Sequence, residues 1–226
     1  MPSRLFVYVP AMGQTTKSWT PLIDRLKREP GLEDADWLPW DHRQSWHGTG
    51  RVGRLSTCLA ARIHERYLSR GPYDHVTLIG HSLGGILVRK AYMIGSGCDE
   101  IERCSPMDWA ARVDRIVLLA SINRGFDPNY IWWGRAIKSV LLLPFFRLSR
   151  DYMIGSDVIT DLRISWIRRF RELGDRQPTV IQVQGCADRW IHHDDSVRRR
   201  AIRARPRGAH RGHPQGPAPA AARPRR

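Results

Sequence analysis

The stretch Leu78-Ile79-Gly80-His81-Ser82-Leu83-Gly84-Gly85 constrains this chain more than any other. An apolar run with β-branched residues, from His75 to Ile79, leads into Gly-x-Ser-x-Gly. A helical pattern follows at once through Ile86, Leu87, Val88, Ala91 and Met93. A serine hydroxyl is a poor nucleophile unless it stands clear of its sheet, beside a base and close to donors for a developing oxyanion. A sharp turn between strand and helix puts it there, and strains the dihedrals of Ser82. The turn also crowds the backbone, so the residues two before and two after must be small, as Gly80 and Gly84 are. The helix starting at Leu83 then points its positive end at the charge that develops.

Around this stretch the chain alternates strand and helix patterns. Leu5 to Val9 is a compact β-type run, followed by Pro10-Ala11-Met12-Gly13-Gln14. Thr20 as N-cap and Pro21 at the first position open a helix whose apolar face is Leu22, Ile23 and Leu26, and Pro30-Gly31 stops it. Residues 35–40 read as a strand and 41–53 as a loop. Residues 54–69 return to helical spacing through Leu55, Cys58, Leu59, Ile63, Tyr67 and Leu68. Beyond the central motif, 113–120 is another strand candidate. Ser156-Asp157 then caps a long helix, with Ile159, Leu162, Trp166, Ile167 and Phe170 on one face and Arg163, Arg168, Arg169 and Arg171 on a solvated one. Residues 178–184 are the last convincing strand. This order is what a parallel sheet with crossover helices demands.

A length of 226 residues fits one domain with a sizeable core. No run approaches the roughly 20 apolar residues of a membrane span. The start, Met1-Pro2-Ser3-Arg4, carries no signal-peptide pattern, which points to the cytoplasm. Cys58, Cys98, Cys104 and Cys186 lack metal-ligand spacing and read as free thiols. The net charge of +15 is concentrated at the end: residues 198–226 hold ten Arg and no Asp, Glu or Lys. Without them, 27 basic residues face 22 acidic ones. That tail has no aromatic and a single large aliphatic residue, so it cannot offset its ordering entropy and is expected to be disordered. It is either a basic arm for nucleic acid or anionic lipid, or an out-of-frame translation of a GC-rich gene. The abruptness of the change favours the second. With no aromatics between the arginines to stack bases, no nucleic-acid partner is expected.

The chain resembles the α/β-hydrolases, in particular the serine esterase and lipase branch that carries Gly-His-Ser-Leu-Gly-Gly. The resemblance covers roughly residues 4–197, within a hydrolase domain expected over 1–197. It implies an α/β fold with a mostly parallel sheet, flanking helices and a helical cap over about 125–157, where Phe126, Trp132, Trp133 and Phe145 either line an acyl pocket or bury the cap against the body. The activity implied is cleavage of a carboxylic ester with a hydrophobic acyl group, with no metal or organic cofactor. Ser82 would be the nucleophile, and the backbone N–H groups of Met12 and Leu83 the oxyanion hole, although relatives usually have His-Gly where this chain has Pro10-Ala11. Asp188, in Gly185-Cys186-Ala187-Asp188 after the last strand, fits the triad acid; Asp194 and Asp195 lie further from the strand end. The triad histidine should follow one more strand and precede a closing helix, and this chain shows neither pattern. His213, in Gly212-His213, is the candidate, with His210 beside it, while His192 and His193 follow Asp188 too closely. His81 is expected to be structural, packing under the turn. The alternative is a hydrolase-fold protein without catalysis whose pocket binds a lipid or a protein partner.

Overall fold

A computed structural model of the chain describes residues 3–11, 14–41, 51–99, 104–127 and 150–184. Five strands form one parallel sheet: β1 (Arg4–Val9), β2 (Asp36–Pro39), β3 (His75–His81), β4 (Val113–Leu119) and β5 (Thr179–Val183), in the order β2-β1-β3-β4-β5. Helices α1 (Thr20–Leu26), α2 (Val52–Arg70), α3 (Leu83–Gly95) and α4 (Asp157–Leu173) connect them. No described helix is long and apolar enough to cross a membrane.

The inner strands β1 and β3 are buried on both sides, as strands between two layers must be, while β2 and β5 at the edges are partly exposed. In β1, Leu5, Val7 and Val9 join the larger core, to which α2, α3 and α4 contribute Leu59, Ile63, Ile86, Leu87, Leu162 and Trp166. Phe6 and Tyr8 face the other way, with Ile79, and are covered by Trp19 and Ile23. Phe6 stacks on Trp37 at 4.5 Å and Tyr8 on Trp19 at 5.6 Å. α3 is buried along its whole length, so its sequence is apolar all round apart from Arg89 and Lys90. Gly95 lets it end against Trp109: a Cβ there would lie 2.4 Å from the indole.

Three sequence expectations shift. A single 3-10 turn, Thr16–Trp19, precedes α1, so the helix includes Thr20 and its N-cap is Trp19 rather than Thr20. Of the face expected for α1 only Ile23 is buried, and Leu22 is exposed. In α2 and α4, Leu68 and Ile167 also face solvent, because a helix against a sheet buries a narrower stripe than the apolar spacing suggested. The cap expected over 125–157 lies mostly outside the described residues. Its two described ends meet: the Phe126 N–H donates to the Tyr152 carbonyl at 2.6 Å, and the Ile154 N–H to the Phe126 carbonyl at 3.0 Å. Ser156 caps α4 as expected, its Oγ accepting from the Ile159 N–H at 3.3 Å.

At the N-terminal pole of the sheet, Asp36 collects partners from α2 and from the loop before β3. Arg66 Nη1 donates to both carboxylate oxygens at 3.1 and 3.0 Å, and the Tyr73 hydroxyl donates at 2.5 Å. Burial alone would raise the Asp36 carboxyl, but the Tyr73 bond and the Arg66 charge outweigh it and hold the group below its ordinary value. Burial, reinforced by Asp36, pushes the Tyr73 hydroxyl up. A carboxyl lowered on folding stabilises the fold above its unfolded pKa of about 3.9, and that contribution disappears as pH falls through the folded value. Asp36→Asn is therefore expected to flatten the loss of urea stability below about pH 4. An acid limb identical to that of the unmodified protein would refute this.

Candidate active site

The sheet order reverses between β1 and β3. From β1 the chain crosses to β2 on one side; from β3 onward strands are added on the other. In open α/β sheets the crevice at this switch point, beyond the carboxyl ends of the strands, is where ligands bind. Val9 and Gly80 pair at those ends, and Ser82 comes two residues later.

Ser82 is the N-cap of α3 with φ 51° and ψ −120°. A non-glycine residue there is strained by about 1–3 kcal/mol and needs surroundings that over-determine it. The surroundings are visible. The Ser82 N–H donates to the Leu119 carbonyl at 2.9 Å, and the Gly85 N–H returns to the Ser82 carbonyl at 3.0 Å. A Cβ on Gly80 would lie 2.6 Å from the Gly84 carbonyl, and one on Gly84 would lie 2.4 Å from the Val9 carbonyl oxygen. The requirement for small residues at both positions is therefore met by backbone contact. Gly84→Ala gains up to about 1 kcal/mol of helix propensity. Against that, backbone atoms of β1 and α3 must separate, an overpacking strain of about 1–3 kcal/mol. The expected result is a net loss of urea stability; a stabilised variant would show that the contact relaxes freely.

Leu83 is the first residue of α3, so its N–H has no acceptor within the helix and faces outward with the positive end of the dipole. Beside it, the loop after β1 starts from Val9 and Pro10, whose carbonyls pack on Gly84, and the Gln14 N–H donates to the Ala11 carbonyl at 3.1 Å. Met12, Asp188, Asp194, Asp195, His192, His193, His210 and His213 lie outside the described residues, as do 185–226 altogether. Of the residues expected to form the site, the structure thus brings together Ser82 and Leu83.

No protein-family model and no curated protein matches the chain. Solved structures do. The chain is similar to phospholipase PlaB from Legionella pneumophila in complex with thio-NAD, with a TM-score of 0.53 and 15% identity over 80% of this chain and 38% of that one. A second structure of that phospholipase matches with a TM-score of 0.50 and 16% identity, over 80% of this chain and 39% of that one. The chain has the α/β-hydrolase fold. It spans less than two fifths of the phospholipase's length.

In this hydrolase-fold chain a cleft of about 370 Å³ opens at the strand ends, lined by Gln14, Trp19, Leu22, His81, Ala120 and Val183 among others. His81 does not pack under the turn. It stands on the cleft wall, half-buried, edge-on to Trp19 at 6.0 Å, with Nδ1 3.1 Å from Gln14 Oε1. Strand alternation explains this, since His81 shares its face with Ile79 and so with the smaller core, away from α3. Ala120, just after β4, has φ 44° and is, with Ser82, one of two non-glycine residues of positive φ among the described residues; its N–H donates to the Val183 carbonyl at 2.7 Å. Behind it Ser121 is fully buried against Gly85, with no partner for its hydroxyl among the described residues. Among the described residues no group of His, Cys, Asp and Glu could hold a metal ion.

Proposed function

We propose that this chain is a serine hydrolase acting on a carboxylic ester, with Ser82 as nucleophile. One observation carries the reading: Ser82 sits at a strained turn between β3 and the buried helix α3, at the switch point of the sheet. A serine with a merely structural task gains nothing from φ 51°, whereas a nucleophile needs the projection that the turn provides. Ser82 Oγ attacks the ester carbonyl. The Leu83 N–H, and by position that of Met12, donate to the tetrahedral oxyanion. The base would come from the segment after β5, His213 being its candidate, with Asp188 orienting the imidazole and stabilising the imidazolium. The apolar cleft and the aromatic residues of 125–157 suit a hydrophobic acyl group. The phospholipase name of the similar structure falls in the same substrate class.

The test is pre-steady-state release of p-nitrophenol from a p-nitrophenyl acyl ester by the full chain. A burst stoichiometric with protein, followed by turnover, is the expected result. Folded protein with no burst would instead support a binding protein that keeps the fold.

A further inference from the structure

The face of α3 that runs on from Ser82 carries the turn after β4 in three successive contacts. The first is the bond from the Ser82 N–H to the Leu119 carbonyl, 2.9 Å. One turn on, Ser121 packs on Gly85, where a Cβ would lie 2.0 Å from its Oγ. A further turn on, Arg89 Nη1 lies 3.4 Å from both the main-chain oxygen and Oδ1 of Asn123. Positions 82, 85 and 89 share one helical stripe, while 119, 121 and 123 advance beside it in step.

Arg89 is the costly member of this arrangement. It is 4% exposed, and its guanidinium lies 4.6 Å over the Trp166 ring of α4. Burying a cation is unfavourable, and well-packed apolar side chains commonly serve such positions equally well or better. What an apolar side chain cannot do is bond Asn123. Between the contacts sits Ala120, held at φ 44°, a conformation that persists only where its surroundings over-determine it. Leu119 and Ala120 also line the cleft beside His81.

We propose that Arg89 is a positioning residue: by holding Asn123 it locks the strained turn after β4 to the nucleophile helix, and so fixes the cleft wall beside Ser82. The proposal rests on the reading of Ser82 as nucleophile. Arg89 itself touches no reacting atom, so its effect belongs in the chemical steps at Ser82, acylation and deacylation alike, and not in binding. A displacement of about 1 Å at a reacting centre can lower a rate by about 100-fold.

Arg89→Met and Arg89→Lys in the full chain test it, with two readouts. The first is kcat and KM on p-nitrophenyl butyrate, beside the urea midpoint. Arg89→Met is expected to lower kcat at least about tenfold with KM within about twofold and the urea midpoint unchanged or raised. Arg89→Lys, which retains one donor, should recover part of the rate. The second readout is amide exchange at Ser82 and Ala120, expected to accelerate in Arg89→Met while β1 and β3 stay protected. An unchanged kcat in the Met variant overturns the proposal, and so does unchanged exchange at those two amides. If the unmodified protein shows no Ser82-dependent burst, the hydrolase reading has failed by itself, and the exchange result alone decides whether Arg89 locks the turn.

Discussion

Ser82→Ala is expected to eliminate the p-nitrophenol burst and to lower steady-state turnover by at least about 1,000-fold. The loss should be in kcat, since the cleft and the donor at Leu83 are left in place and still bind the ester. Folding should be almost unaffected. Alanine and serine suffer the same steric strain at φ 51°, and Ser82 makes no side-chain cap to its helix, so truncation removes no capping bond. This combination of a large kinetic loss with unchanged urea unfolding separates a missing nucleophile from a damaged fold. Ser82→Gly is a useful companion: it relieves the strained dihedrals as well as removing Oγ, so it should be equally inactive while its stability shifts. Turnover that survives in purified Ser82→Ala would place the chemistry elsewhere and end the hydrolase reading as stated.

The second large effect concerns stability. Lys90 and Asp99 form an ion pair at 2.7 Å with side chains 1% and 0% exposed, and Asp161 of α4 lies 3.8 Å from the same ammonium. The attraction of such a pair roughly offsets the desolvation of its members, so it adds little by itself. Breaking it is another matter, because one charge is then left buried and uncompensated. Asp99→Ala is expected to destabilise by about 3–5 kcal/mol, which for a domain of this size lowers the melting temperature by about 6–20 °C. Pairing Asp99→Leu with Lys90→Met removes both charges and should recover most of that loss. A single variant that melts within a degree or two of the unmodified protein would show that Lys90 finds water or another acid instead.

The parts of this molecule that were legible in the sequence are those set by local chemistry. The turn at Ser82 could be read because its steric demands fall on Gly80 and Gly84, two residues away on either side, where the carbonyls of Gly84 and Val9 now explain them. The inner strands could be read because runs such as 5–9 and 76–79, filled on both sides, have few alternatives to a buried parallel sheet. Partnerships across long separations left no local trace. Asp36 is 30 residues from Arg66 and 37 from Tyr73. Arg89 meets Asn123 34 residues away, a contact no periodicity encodes. A signal was nonetheless present: two consecutive cations, Arg89 and Lys90, interrupt an otherwise apolar helix, and a helix buried on all sides must find partners for both. His81 was misplaced for a related reason, since its neighbour Ser82 ends the alternation and the side of the sheet it takes depends on the strand's register.

The complete enclosure of α3 also bears on how this protein can change over time. A helix with no solvent-facing stripe has no position at which substitutions accumulate without consequence, because each one meets a neighbour in close packing. The geometry at Ser82 is therefore insulated from drift at the surface and answers to changes among the buried partners of the helix. Substitutions at the rim of the cleft, where Leu22 and Val183 are exposed, leave this enclosed helix untouched.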